Sequence, residues 1–302
     1  MYTFQHAMLL VNDNSGAERT EHRLTDVVPS LSNMAKRLTI ARPENEEESQ
    51  ALCRQAGKYD LFVIMGGDGT VHHCIDVIAQ LDERPLLAVL PGGTSNDFSR
   101  TIGMPQDLEE AAESLTGGKI VETDVGRAGS RHFINFWGIG LAAATSKNVD
   151  SGTKRNFGPL SYMTSTLRTL KEAESFPFEI VADGERLIGE AIAIFVLNGS
   201  SLATTPIPIA GITPFDGELD LLIFRNTNLA TLRELMSLRN EDTDNADLDT
   251  IEYVRVKQLK IQAAGQQLAD MDGELYEELT GEIQVLPGHL RLLVPETDMA
   301  EE

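Results

Sequence analysis

At 302 residues the chain is long enough for two domains, and its 41% hydrophobic and 24% charged residues suit a globular protein without low-complexity tracts. A formal net charge of −22 argues against nucleic acid as a partner, because neutralising its phosphates takes clustered Lys and Arg. The longest apolar runs, such as Ala191 to Leu197, are strand-sized and too short for a bilayer span; no secretory leader is seen, and Cys53 and Cys74 read as buried free thiols, so a soluble cytoplasmic protein is expected.

Along the first 125 residues strands and helices alternate. Ala7 to Asn12 reads as a strand, followed by a helix over Leu24 to Leu38 and a short strand over Leu38 to Ala41. A helix over Glu46 to Gly57 then precedes the strand Asp60 to Met65. A helix over Val71 to Leu81, a strand over Leu86 to Leu90 and a helix over Asp107 to Leu115 complete the series. Apolar strands alternating with helices predict a mostly parallel sheet covered on both faces, with ligands beyond the carboxyl ends of its strands.

After about Gly126 the texture changes. Phe178 to Ala182, Glu190 to Leu197, Leu219 to Phe224, Tyr253 to Ile261, Gly281 to Leu286 and Leu290 to Val294 read as strands, with helices only over Ser161 to Ala173 and Leu229 to Leu238. That is the pattern of an antiparallel sandwich or partly closed barrel, and the cleft between two such domains is the default site.

Charge is uneven along the chain. Glu44 to Glu48 and Glu241 to Glu252 are acid-rich and read as solvated surface. Between Lys147 and Lys171 five basic residues face one acid, Asp150, which suits either an anionic membrane, a substrate phosphate or plain solvation.

The chemistry concentrates at glycine turns. Gly66-Gly67-Asp68-Gly69-Thr70 closes a buried strand and opens a helix, so backbone N–H groups and the positive helix end face one spot that suits phosphate. Val11-Asn12-Asp13-Asn14-Ser15-Gly16 and Pro91-Gly92-Gly93-Thr94-Ser95-Asn96-Asp97-Phe98 end two more strands in the same manner. Three such turns on one sheet edge predict nucleotide binding, and neither a Walker A loop nor a Gly-x-Gly-x-x-Gly fingerprint is present. Two Asp-Gly sequences follow much later, Asp216-Gly217-Glu218-Leu219-Asp220 and Asp270-Met271-Asp272-Gly273-Glu274. Each is either a hairpin turn or a turn that presents carboxylates for phosphoryl transfer.

Taken in this order, from Val11 to Glu274, these motifs resemble those of the soluble bacterial diacylglycerol-kinase-like lipid kinases, whose catalytic domain sphingosine and ceramide kinases share. The resemblance implies a Rossmann-like α/β domain of the NAD kinase and phosphofructokinase type over residues 1–125 and an antiparallel β-sandwich over 126–286. It also implies a last strand, about 287–298, returning to the first domain, and ATP with Mg2+ as phosphate donor. The acceptor would be a lipid hydroxyl reached by peripheral association with a membrane, and a homodimer through the β domain is implied.

Carried over by position, Asn12, Ser15 and Gly16 would contact the nucleotide. Gly66, Gly67, Gly69 and Thr70 would line its phosphates, and Asp68 would engage them through Mg2+. Thr94 and Asn96 would complete the pocket. Glu274 would be the general base, and Asp216 and Asp220 would belong to a turn holding a structural Mg2+. The chain departs from the family at Val71-His72-His73, where Asn-Glu is usual, and at Arg42, where Thr is frequent; Arg42 could stack on adenine or pair with a phosphate. Phe136, Trp137, Phe157 and Tyr162 suit either an acyl-chain lining or core packing. The alternatives to a lipid kinase are an NAD kinase-type phosphotransferase, which shares Gly-Gly-Asp-Gly-Thr, and a non-catalytic nucleotide- or lipid-binding protein.

Overall fold

Apolar runs without polar alternation must be covered on both faces, and the strands of the first 125 residues are. The computed structural model describes residues 2–12, 17–140, 174–202, 204–226, 228–240, 248–265, 268–277 and 281–296, with only the backbone of 17–21. The chain divides into two units at Val125/Gly126 and Pro287/Gly288, the end of the chain rejoining the first.

The first unit runs β1 (Ala7–Val11), α1 (Ala17–Met34), β2 (Leu38–Ala41), α2 (Glu46–Cys53), β3 (Leu61–Gly66), α3 (Asp68–Ala79), β4 (Leu86–Pro91), α4 (Asp97–Thr101) and α5 (Leu108–Ser114). Its strands are parallel in the order β2-β1-β3-β4. Every residue of β1, β3 and β4 is buried, as a parallel sheet flanked by helices requires. The strand order reverses between β1 and β3, so their carboxyl ends flank the point where such sheets take ligands. Beyond β4 the end of the chain's last strand adds in parallel, Arg291 opposite Leu86 and Leu292 opposite Leu87.

From β5 (Lys119–Ala128) the chain enters the second unit. There follow β6 (Arg131–Phe133), β7 (Phe136–Ile139), β8 (Phe176–Ala182), β9 (Glu185–Ala191), β10 (Ala193–Leu197) and the small pair β11 (Ser201–Leu202) and β12 (Thr205–Pro206). β13 (Leu219–Phe224), α6 (Leu229–Ser237), β14 (Ile251–Val256), β15 (Gln258–Ala263), β16 (Ala269–Met271), β17 (Glu274–Tyr276) and β18 (Glu282–Val294) complete it. One antiparallel sheet is ordered β14-β13-β10-β7-β16-β17. The start of β18, β15, β8 and β9 form the opposing layer. Between the layers lies a core that includes Trp137, Val196, Leu221 and Met271 from the first and Phe178, Ile180, Leu259 and Ile283 from the second. A second cluster, with Phe136, Phe195, Phe224 and Leu235, covers the other face of the six-stranded sheet. Alternation is what such half-buried strands show: in β8 Phe176, Phe178, Ile180 and Ala182 point inward.

Several boundaries differ from those the sequence predicts. α1 starts at Ala17 and stops at Met34, leaving Leu38 to begin β2. α3 begins at Asp68 because the last residues of the glycine turn are already helical. Tyr253 to Ile261 is two strands in different layers: the Asp183 carboxylate takes the N–H groups of Lys257 (2.8 Å) and Gln258 (3.0 Å) and fixes the break between them. Gly281 to Leu286 and Leu290 to Val294 are one thirteen-residue strand, β18. The expected helix over Ser161 to Ala173 lies outside the described residues.

Candidate active site

The glycines of the first unit serve close backbone packing. Gly92 N–H donates to the Gly66 carbonyl at 2.9 Å, continuing the β3–β4 pairing into the turns. A Cβ on Gly92 would stand 2.7 Å from Gly66 Cα, and one on Gly93 2.5 Å from Gly67 Cα. The two turns are therefore packed backbone on backbone, at separations only glycine allows. Gly67 is the N-cap of α3 and, having no side chain, caps nothing. Among the described residues the first-turn N–H groups of Asp68, Gly69 and Thr70 are left for a ligand, at the positive end of a twelve-residue helix.

Asp68 ties the turns together. Its carboxylate accepts from Asn96 N at 2.9 Å and from Asp97 N at 2.6 Å, acting from a distance as the cap of α4. Burial raises its pKa, the nearby Asp97 raises it further, and the backbone N–H bonds pull against both. Asn96 adopts the left-handed conformation (φ 54°) and its side chain accepts from Gly93 N at 2.8 Å while donating to Gly93 O at 3.2 Å. Asn12, at the end of β1, donates to Thr70 Oγ at 3.0 Å, so the first and second turns are also joined. Asn12, Asp68, Gly69, Thr70, Gly93, Thr94 and Asn96 thus gather along one sheet edge, most of them half-buried or exposed. Ser15 and Gly16 lie outside the described residues. Arg42 is exposed just past β2. His72 is buried with its ring edge-on to His73 at 5.4 Å, and His73 lies 3.7 Å from the Glu46 carboxylate.

In the second unit Asp272 and Gly273, at φ 53° and 95°, form the two-residue turn that pairs Met271 with Glu274. The Asp272 carboxylate is buried and accepts three backbone N–H groups, from Ile134 (2.9 Å), Asn135 (2.8 Å) and Phe136 (2.9 Å). Glu274 opens β17 half-buried. The Asp216 turn is a different environment. Arg255 pairs with Asp216, with Glu218 at 3.1 Å and with Asp220 at 4.0 Å, and Tyr253 Oη donates to Asp220 at 2.6 Å. Burial pushes the Asp220 carboxyl up to about 6 while Tyr253 and Arg255 pull it down, and the same burial and carboxylate push the Tyr253 hydroxyl up.

The Arg255 guanidinium therefore faces the turn where the resemblance implies Mg2+, and it already engages the carboxylates of Asp216 and Asp220 that would otherwise be open to a metal. Asp68 fits one better: each carboxylate oxygen keeps a lone pair, and Mg2+ commonly takes one or two carboxylates plus substrate phosphates. Among the described residues no group of three His, Cys, Asp or Glu stands ready to hold a metal without such help. Phe136 and Trp137 lie in the two different core clusters, on opposite faces of β7; Phe157 and Tyr162 lie outside the described residues, as does the whole basic Lys147 to Lys171 stretch.

The sequence did not single out Arg23, whose Nη1 donates to Gly92 O at 3.0 Å and which holds the third turn from α1. Nor did it mark Asp97 as the charge beside Asp68 or Arg255 as the partner of the Asp216 turn. Its place beside Arg19 on the helix after a glycine turn was the available signal for Arg23.

Comparison with known proteins settles the family. Residues 6–128 match the diacylglycerol kinase catalytic domain, and residues 137–294 match the YegS C-terminal NAD kinase beta sandwich-like domain. The chain belongs to the diacylglycerol kinase-like family. The "Putative lipid kinase" of Staphylococcus aureus strain Newman is 30% identical over 296 residues, 96% of this chain and 97% of that protein. A crystal structure of a "putative diacylglycerol kinase" from Bacillus anthracis str. Sterne superposes with a TM-score of 0.87 at 35% identity, covering 98% of this chain and 99% of that one. An NAD kinase from Archaeoglobus fulgidus, solved in complex with ATP, shares the fold at a TM-score of 0.51 and 12% identity over 97% of this chain and 94% of its own. The kinase family thus combines a parallel α/β unit and an antiparallel β unit, as here. No helix among the described residues is long and apolar enough to cross a membrane.

Proposed function

We propose that this member of the diacylglycerol kinase-like family is an ATP- and Mg2+-dependent lipid kinase that phosphorylates a diacylglycerol-like hydroxyl at the cytoplasmic membrane surface. The observation that supports the reading is the pair of glycine turns, packed backbone on backbone at separations only glycine allows, beside the uncapped start of α3, whose first-turn N–H groups suit phosphate. The ATP bound by the fold neighbour supports the choice of donor.

In this reading the N–H groups of Asp68, Gly69 and Thr70 receive the phosphates, with Gly66 and Gly67 giving the close approach. Asn12, Thr94 and Asn96 border the nucleotide, and Asp68 holds its metal. When bound, Mg2+ neutralises charge on the phosphates. Glu274 orients the lipid hydroxyl and takes its proton as the oxygen bonds to the γ-phosphorus. The bond from that phosphorus to the β–γ bridging oxygen breaks, and ADP leaves. Asp272 holds the Glu274 turn in place and does not itself touch the acceptor.

The test is transfer of label from [γ-32P]ATP to a total bacterial lipid extract, with NAD as a parallel acceptor. Label in an organic-phase product is the expected result. Label in NADP, or none in any lipid despite ATP binding, overturns the reading in favour of a nucleotide kinase or a binding protein respectively.

A further inference from the structure

β9 is the edge of its layer: it comes last in the order β18-β15-β8-β9, and among the described residues it pairs with β8 alone. Which of its main-chain groups reach β8 follows from Pro177. Pro177 has no N–H, and its carbonyl accepts from Ala264 N at 2.9 Å, on the β15 side; Asp183 N likewise donates to Gln258 O at 3.0 Å. Alternate residues of an antiparallel strand direct their N–H and C=O groups to opposite sides. Phe176, Phe178, Ile180 and Ala182 therefore bond toward β9, where Ala191, Gly189, Leu187 and Glu185 stand opposite them. The N–H and C=O groups of Arg186, Ile188 and Glu190 are thereby aimed the other way, out of the sheet.

The side chains of the same three residues share one face, and all three are exposed, Ile188 by 57%. Sheet edges are commonly kept from pairing by brevity, Pro, Lys or a bulge. β9 uses none of these: it runs seven residues in unbroken register against β8, with neither Pro nor Lys. Its charges are instead symmetric about Ile188, with Arg186 two residues before it and Glu190 two residues after. Laid antiparallel on itself with Ile188 at the centre, such a strand sets each Arg186 opposite a Glu190. Within the chain Arg186 donates to Glu179 at 2.8 Å and Glu190 accepts from Ser175 Oγ at 3.0 Å, exposed contacts that leave both charges able to meet a partner.

We propose that β9 pairs with β9 of a second copy of this chain across a two-fold axis at Ile188, joining the two layers into one continuous sheet. Three residue pairs then exchange main-chain bonds: Arg186 with the partner's Glu190, Ile188 with the partner's Ile188, and Glu190 with the partner's Arg186. These are the residues whose groups face outward, so one register satisfies both charge and hydrogen bonding. A slip by one residue sets outward-facing groups against inward-facing ones. A slip by two keeps bonds but puts Arg186 or Glu190 opposite Ile188, and both ion pairs are lost. A second copy fits better than an unrelated strand because the complementarity is that of the strand with itself. The pairing does not depend on the lipid-kinase reading.

The full-length chain carries a net charge of −22, so copies repel at long range and association is measured in about 0.15 M salt, which screens that repulsion. Sedimentation from about 1 to 100 μM is expected to show a monomer–dimer equilibrium. Arg186→Glu sets acid against acid and Glu190→Arg sets base against base, and each alone is expected to weaken association about tenfold or more. Mixed in equal amounts, the two variants are expected to dimerise with each other, and the double variant Arg186→Glu/Glu190→Arg with itself. Ile188→Pro removes an outward N–H and no bond to β8, and is expected to leave a folded monomer, with thermal melting as its control. In the parent chain, hydrogen exchange of the Ile188 amide is expected to slow as concentration rises. A monomer throughout the range, a dimer that survives Ile188→Pro, or charge variants that do not rescue one another overturns the proposal. An Ile188 amide protected equally at every concentration also overturns it and gives the edge to a segment of the same chain.

Discussion

The two Asp-Gly motifs on which the proposed reaction rests, Gly66 to Thr70 in the first unit and Asp272 to Glu274 in the second, use their aspartates alike. Asp68 takes the N–H groups of Asn96 and Asp97, and Asp272 those of Ile134, Asn135 and Phe136. Both carboxylates staple the turn to a neighbouring segment. They differ in what is left over. Asp68 is half-buried, sits near a second carboxylate and keeps lone pairs beside an uncapped helix start, so it can serve a ligand as well. Asp272 is 6% exposed and takes three backbone N–H groups, so on the proposed mechanism the reactive role passes to Glu274, two residues on. An acid in an Asp-Gly turn can be a staple, a ligand or both; burial and the number of N–H groups it accepts decide.

Substitutions can break this comparison. The largest effect is expected from Glu274→Gln, which on the proposed mechanism lowers kcat by about 10²–10⁴-fold while the melting temperature holds; a drop in stability of the same rank would make Glu274 a staple too. Next comes Asp272→Ala, expected to lower unfolding free energy in urea by about 3–5 kcal/mol, because three N–H groups lose a charged acceptor. A loss under about 1 kcal/mol would remove Asp272 from the staples.

The Asp216 turn sharpens the contrast, since its buried carboxylate meets a guanidinium and a phenol in place of amides. Asp220 titrates at about 6 in the folded protein against an ordinary 3.8, so the folded state holds its proton more tightly. That stabilisation is full below about pH 4 and is lost as pH rises through 6, on the order of 2–3 kcal/mol. Stability measured from pH 4 to pH 7 should therefore fall less in Asp220→Asn than in the parent chain. The smallest effect is expected from Gly93→Ala, whose Cβ would meet Gly67 Cα at 2.5 Å. Overpacking there should cost about 1–2 kcal/mol and raise the KM for ATP, and an unchanged KM would detach this turn from the nucleotide.

Most of the fold could be read from the chain. Unbroken apolar runs gave the parallel unit, and alternation in stretches such as Phe176 to Ala182 gave the antiparallel one. Boundaries were less legible where a distant side chain set them. Nothing local in Tyr253 to Ile261 shows that Asp183 will fix a break at Lys257. The site was legible as a set of turns, and Arg23 and Arg255 were not, because each reaches its partner only after the chain has folded back on itself.

What the sequence determined by itself is therefore the placing of glycines where strands end and of carboxylates within Asp-Gly turns, since both follow from local backbone requirements. Tertiary structure alone decided what each carboxylate does. Whether an aspartate meets backbone N–H groups, as Asp68 and Asp272 do, or a guanidinium, as Asp216 does, depends on segments 28 to 138 residues away. Those contacts, through burial and hydrogen bonding, set its charge and its freedom to bind anything else.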